Sequence, residues 1–481
     1  MPPVLPPVVW WRLWWWWCES REVDLASHTR QPRMTEAQAR SLHAHPLATC
    51  LDGSAARYYI RPADPRRFLI FFEGWGFCSS MADCQARSAT PEGSSLEYPP
   101  SLKLDRYYFQ HGASNPILGG YTAVFVRTCD GGYFSGARRD PIPYNGTLLH
   151  FRGRWIIEAL ISDLHANFAL SRVEEIVWGG CSAGGIHVLA HLDYLRTLAP
   201  PAARVSGFVD SGFYMDVAMY SDLKRFVTSP DGMNASMMLN AACIADHPAA
   251  THLCLIGEIS SRYVLTPTFV WQSAFDHDQR DCEMPTSCAS SINCVAAYAD
   301  NLTVAVQTWV DESSHLQHGA FLDACDRHCD DGFPPPLYAP GIRTHEGVSP
   351  LQAFAQWHRG VSARKMWRQA EMPSQVPIRC TAAHHPSSLL AVEGVAAPTV
   401  LVGVVGVVVV AMAATIIGCM SKRRHSTVRL RHAVQPTCGG EVDMVTPLLR
   451  AGWRLCRPRH RAMPARETKN TTEVLVETPH V

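Results

Sequence analysis

Residues 174–185 read EEIVWGGCSAGG, and their meaning depends on what surrounds a single serine. Ile176, Val177 and Trp178 form an apolar run suited to a buried strand. Gly180-Cys181-Ser182-Ala183-Gly184 follows as a GxSxG pentapeptide, and beyond it Ile186, Leu189, Leu192 and Leu195 fall on one stripe of a helix. Strand, sharp turn and helix make the setting in which a serine hydroxyl is held exposed on a strained turn, with small residues on either side so that the turn can close. Ser182 is therefore the candidate nucleophile.

The same alternation recurs along the chain. RFLIFFEGWG, YTAVFVRTCDGG and VSGFVDSGF read as strands ending in glycine-rich loops, and RWIIEALISDLHANFAL reads as a helix. Strands alternating with helices predict an α/β fold of the α/β-hydrolase type, a mostly parallel sheet covered by helices on both faces. An elbow serine needs a base and a carboxylate to orient it, following in the chain order Ser, Asp or Glu, His. Asp276 ends the apolar run FVWQSAFD, where a strand delivers a carboxylate to the loop edge. Asp278 lies two residues on and points to the opposite side if the strand continues. His315, His318, His328, His345 and His358 compete for the role of base, and His328 sits between Cys325 and Cys329 in a loop that disulfides would pin. Oxyanion donors are expected at the backbone N–H of Ala183 and in the glycine-rich loop Gly74-Trp75-Gly76 after the strand FLIFFE. A zinc reading of the Cys325-x-x-His328-Cys329 run fails for want of a second spaced ligand pair, so neither metal nor other cofactor is expected.

These motifs, in their order, resemble the pectin acetylesterase family, which also contains the Wnt-deacylating carboxylesterase Notum. Cys50-Leu51-Asp52-Gly53-Ser54 is similar to the family's CLDGS, Glu73 to Cys78 to its EGGGWC, and Cys129-Asp130-Gly131 with Phe134-Ser135-Gly136 to its CDG and FSG. Phe151-Arg152-Gly153, the GCSAGG of Gly180 to Gly185, Asp210-Ser211-Gly212-Phe213, and Gly319-Ala320-Phe321 leading to Cys325, His328 and Cys329 also follow the family's order. The resemblance covers roughly Cys50 to Asp330. It implies Ser182 as nucleophile, Asp276 as the orienting acid and His328 as base. The oxyanion loop departs from the family: it reads GWG here, GGG in the plant members and GGW in Notum.

The 481 residues are 47% hydrophobic and 18% charged, which is the balance of a folded chain. Lys plus Arg (43) equals Asp plus Glu (43), so the total gives no sign of a nucleic-acid partner. The total conceals a split. From Met420 to Val481 twelve Lys and Arg stand against five acids, a net +7 that leaves −7 for the rest. No charged residue occurs from Gly394 to Ser421, long enough for the roughly 20 residues of a transmembrane helix. Lys422, Arg423 and Arg424 follow at once, which places the tail in the cytosol and the preceding body in the lumen or outside, as a single-pass type I protein. This topology requires an export signal, and MPPVLPPVVWWRLWWWWC supplies a hydrophobic stretch that lacks a basic start and a clear cleavage site, which leaves a signal peptide, an uncleaved anchor and a start at Met34 as alternatives.

Thirteen cysteines in the body (50, 78, 84, 129, 181, 243, 254, 282, 288, 294, 325, 329 and 380) fit an oxidising compartment and predict six disulfides and one free thiol. The sequons at Asn145, Asn234 and Asn301 lie on the same side and predict a glycoprotein. The resulting domain plan is a signal or anchor and unpatterned lead (1–47), a hydrolase domain (48–367), a stalk (368–393), a transmembrane helix (394–421) and a basic cytoplasmic tail (422–481). The expected function is a serine carboxylesterase that removes acyl groups, acetyl first among them, from oxygen esters of a polysaccharide. Deacylation of a lipidated protein in the manner of Notum is one alternative. A non-catalytic receptor or adhesion protein on a hydrolase scaffold is another.

Overall fold

The computed structural model describes residues 36–111, 113, 115–329, 342–370, 377 and 380. Twelve strands are found among them: β1 (Glu36–Ser41), β2 (Arg57–Arg61), β3 (Asp64–Phe72), β4 (Ser101–Lys103), β5 (Tyr121–Val126), β6 (Ile142–Tyr144), β7 (Thr147–Leu149), β8 (Glu175–Cys181), β9 (Arg204–Asp210), β10 (Thr268–Ser273), β11 (Gly319–Asp323) and β12 (Met366–Arg368). Six helices frame the site: α1 (Met81–Ser88), α2 (Gly153–Phe168), α3 (Ala183–Thr197), α4 (His277–Glu283), α5 (Ile292–Glu312) and α6 (Pro350–His358).

Ten strands make one sheet in the order β12-β11-β10-β9-β8-β3-β5-β2-β1-β4. The seven from β12 to β5 run parallel, and β2, β1 and β4 add an antiparallel edge. The parallel strands are apolar on both faces because helices cover both. In β3, Phe68, Ile70 and Phe72 pack with Ile156 and Leu160 of α2 and Leu189 and Leu192 of α3, while Leu69 and Phe71 point the other way, toward Tyr108, Phe109 and Phe125. Leaving β3 the chain passes through the edge strand β4 to β5 on one side, then returns to place β8 on the other side of β3. The crevice at the carboxyl ends of β3 and β8 is thus the topological switch point, where open α/β sheets bind ligands.

The folded body is longer than the sequence suggests. β1 lies inside the stretch read as unpatterned lead, held between β2 and β4. At the other end β12 runs to Arg368, the Gln369 side chain accepts from the Ala324 N–H at 3.0 Å, and Cys380 is bonded to Cys325, so the stalk starts within the fold. Six disulfides pair Cys50–Cys129, Cys78–Cys84, Cys181–Cys329, Cys243–Cys254, Cys288–Cys294 and Cys325–Cys380. Cys282 is disulfide-bonded as well, so the expected free thiol is not there. The predicted membrane span, the N-terminal hydrophobic run and the basic tail lie outside the described residues. Among the described residues no helix is long and apolar enough to cross a membrane.

The turn after β8 tolerates no side chain at its flanks. A Cβ on Gly180 would collide with the Gly184 carbonyl, and one on Gly184 with the Phe72 carbonyl. Both obstacles are backbone, so Gly180→Ala is expected to cost about 2 kcal/mol or more, read as a lower urea midpoint at unchanged slope.

Candidate functional site

Ser182 stands at the carboxyl end of β8 and caps α3 with φ +54° and ψ −122°, a conformation that costs a non-glycine residue energy and that the surrounding packing imposes. Its N–H donates to the Asp210 carbonyl at 3.0 Å, which ties the turn to the end of β9. Gly74, just past β3, lies directly against the serine: a Cβ there would stand 3.1 Å from Ser182 Cβ and 3.7 Å from its Oγ. The loop Gly74-Trp75-Gly76 is held from behind. Thr128 Oγ1 donates to the carbonyls of Glu73 and Gly74 at 2.9 and 2.8 Å, and the Arg87 guanidinium donates to the Trp75 carbonyl. Trp75 and Gly76 both have positive φ, and the Trp75 ring is half exposed. The carbonyls of Gly74 and Trp75 are thus engaged from behind, and Ala183 begins α3 directly after the serine.

β10 ends at Ser273, short of the expected aspartate. Asp276 is instead the N-cap of α4, accepting from the Gln279 N–H at 3.1 Å. Both its carboxylate oxygens are 2.9 Å from Nδ1 of His328, the residue that follows Arg327 in the loop after β11. Burial works against a charge on Asp276, yet the His328 ring and the Gln279 N–H outweigh it and hold the carboxyl below its ordinary pKa. Of the other candidate bases, His318 is spent on the Thr268 N–H and the Val264 carbonyl, His358 bonds Glu175 at 2.6 Å, and His315 and His345 are exposed.

Two features hold the His328 loop. The disulfide Cys181–Cys329 joins the residue before Ser182 to the residue after His328. Arg327, fully buried, then reaches across the sheet ends: Nη1 bonds Asp210 at 2.8 Å, Ser211 Oγ at 3.2 Å and the Cys329 carbonyl at 3.0 Å, while Nε bonds Asp323 at 2.9 Å. Its guanidinium lies 4.4 Å from the Trp271 ring centroid. The sequence reading missed this arginine. A basic residue in a cysteine-bounded loop with acids at 323 and 326 is the signal of an internal ion pair.

Asp278 was also misjudged. Because α4 replaces the extrapolated strand, its carboxylate does not point away: Oδ2 is 3.5 Å from His328 Nε2 and accepts from the Tyr214 hydroxyl at 3.1 Å. Tyr214 is also hydrogen-bonded to Ser182, and burial raises its pKa well above the ordinary value. Behind it the Lys224 ammonium is fully buried among the rings of Tyr220, Phe77, Tyr133 and Tyr214, at 3.5, 4.6, 4.9 and 5.8 Å from their centroids, and donates to the Tyr133 hydroxyl at 2.8 Å. Burial depresses the Lys224 pKa well below its usual value and pushes that of nearby Glu283 up to about 8. Beside Ser182 stand the Tyr214 phenol and the Asp278 carboxylate, with the Lys224 amine buried behind them.

The Cys181–Cys329 bridge gives a direct test. Replacing both cysteines by alanine is expected to lower kcat/KM for p-nitrophenyl acetate roughly tenfold or more, because small displacements of reacting groups are costly, while far-UV circular dichroism stays unchanged on the strength of the other disulfides.

The pectinacetylesterase family model matches residues 33–381. The chain is 28% identical to pectin acetylesterase 5 of Arabidopsis thaliana over 309 residues, 59% of this chain and 70% of that one. It is 29% identical to the palmitoleoyl-protein carboxylesterase Notum of Schmidtea mediterranea over 249 residues, 48% of this chain and 46% of that one. The crystal structure of the Wnt deacylase Notum from Drosophila superposes with a TM-score of 0.58 at 22% identity, covering 71% of this chain and 98% of that chain, and shares its fold. The match spans every element that builds the site, and the chain belongs to the pectinacetylesterase family.

Proposed function

We propose that this carboxylic ester hydrolase removes acetyl groups from oxygen esters of a polysaccharide, with Ser182 as nucleophile, His328 as general base and acid, and Asp276 holding the imidazole tautomer. The observations that carry this reading are the Asp276–His328 hydrogen bond, the Cys181–Cys329 disulfide that ties the His328 loop to the residue before Ser182, and the elbow geometry of Ser182 with Gly74 packed against it. Nδ1–H donates to Asp276, which leaves Nε2 to take the Ser182 proton as Oγ attacks the ester carbonyl and to return it to the departing alcohol. The amides of Gly74, Trp75, Gly76 and Ala183 are the donors for the oxyanion, each worth about 10² to 10³ in rate where it engages. A binding protein on this scaffold has no use for a strained serine and an oriented imidazole together.

The acetyl preference rests on the wall beside Ser182. An aliphatic chain gains about 0.8 kcal/mol per CH₂ only where it displaces water from an apolar surface, and Tyr214 and Asp278 present polar atoms there. For the same reason removal of a long lipid is the weaker reading. The disulfides support a lumenal or extracellular body, and Asn145 and Asn301 are exposed as glycan acceptors must be. A membrane span at 394–421 with the basic tail in the cytosol completes the reading.

Ser182→Ala, Asp276→Asn and His328→Ala are each expected to lower kcat for p-nitrophenyl acetate by roughly 10⁴-fold with near-normal melting, and pairs of them to add little, because such residues act as a unit. Full losses from single changes that multiply in the pairs would remove the assignment. The unmodified enzyme is expected to cleave the acetate with a kcat/KM about tenfold above that for the octanoate, and a steady rise with chain length would favour a lipid substrate. A chain stopped before Gly394 is expected in the medium, glycosylated and active.

A further inference from the structure

We propose that Asp278 sets the charge selectivity of this site: its carboxylate, beside the reactive ring nitrogen of His328, admits esters of neutral or cationic alcohols and sugars and turns away those carried on uronates and other anions. This rests on the assignment of Ser182 and His328 given above. To receive its proton the leaving alcohol must come within hydrogen-bond distance of His328 Nε2, and Asp278 Oδ2 is 3.5 Å from that nitrogen. A charge on the alcohol therefore sits within several ångströms of the carboxylate.

No described residue nearby cancels it. Among the described residues the only ion-pair contact of Asp278 is the His328 ring. Asp276 is already committed to His328 Nδ1 and is fully buried. Arg280, two residues along α4, is 2.8 Å from Asp326, which also faces His277 at 3.7 Å. Lys224 and Glu283 sum to zero whether both are ionised or both neutral, and burial drives each toward its neutral form. The side chain of Asp278 is 34% exposed, so water reaches it and the attraction or repulsion is screened. About a threefold effect per unit charge is expected at such a distance, so a cation and an anion differ by about tenfold. A neutral or amino-bearing acetylated glycan suits this field, and a polyanionic one does not.

Three acetyl esters of matched shape test it on the full-length enzyme: 3-(trimethylammonio)phenyl, 3-tert-butylphenyl and 3-carboxyphenyl acetate. Intrinsic reactivity cancels when the cation-to-anion ratio of kcat/KM in the unmodified enzyme is divided by that in Asp278→Asn, and this quotient is expected to be about tenfold or more. In the unmodified enzyme the ratio is also expected to fall as salt is raised from 20 to 500 mM. A quotient within twofold of one, or a ratio in the unmodified enzyme indifferent to salt, would overturn the proposal. So would a folded Asp278→Asn that cleaves none of the three, since Asp278 would then belong to the reacting unit. If the unmodified enzyme's hydrolysis of the tert-butyl ester persists in Ser182→Ala, the nucleophile assignment fails instead, and the two failures are distinct.

Discussion

The site depends on a buried arginine. Arg327 joins Asp210 at the end of β9 to Asp323 at the end of β11, and the loop between Cys325 and Cys329 folds back because its guanidinium must find both carboxylates. A cation taken out of water is tolerated only when paired and hydrogen-bonded, and here the partners are strand termini whose positions the sheet has already set. His328 is the next residue, so the geometry that satisfies Arg327 also delivers the imidazole to Asp276. The Cys181–Cys329 disulfide closes the same loop onto the residue before Ser182. Three residues from the ends of β8, β10 and β11 are thus placed by two constraints that do not touch the ester.

The elbow was legible because it is local. An apolar strand, Gly180, Ser182, Gly184 and an apolar helical stripe lie within about twenty residues, and each has one conformational job. His328 was not legible by spacing, since it lies 52 residues beyond Asp276 and four other histidines shared the same sequence credentials. Resemblance supplied it, and the structure shows where His318 and His358 are spent. Asp278 failed for another reason. The period-2 rule was carried past the end of β10, where Asp276 had already begun a helix, and a cap turns the next side chains by about 100° rather than 180°. β1 escaped notice because EAQARS is nearly all polar or small; its place in the sheet comes from pairing with β2 and β4.

The wall beside the serine has a physical character of its own. Tyr214, hydrogen-bonded to Asp278, stacks on Tyr220 with ring centroids 4.8 Å apart, and Tyr220 in turn covers the Lys224 ammonium. Polar atoms in this place are held by one another and not by substrate, which makes the wall rigid before anything binds. The proposed preference for a small acyl group rests on this wall. The family's fold is compatible with acyl groups of different length, as its relatives' names attest, because a fold does not fix selection, which lies in the side chains of the site.

The central claim is that Ser182 is a nucleophile activated by His328. The most direct measurement is the rate at which a fluorophosphonate adds to the protein, with the modified residue located by peptide mass mapping, in the unmodified chain and in His328→Ala. The account predicts a single adduct on Ser182 in the unmodified chain, formed at least about 10³-fold faster than in His328→Ala. An adduct on another residue, or one on Ser182 whose rate does not depend on His328, would contradict it.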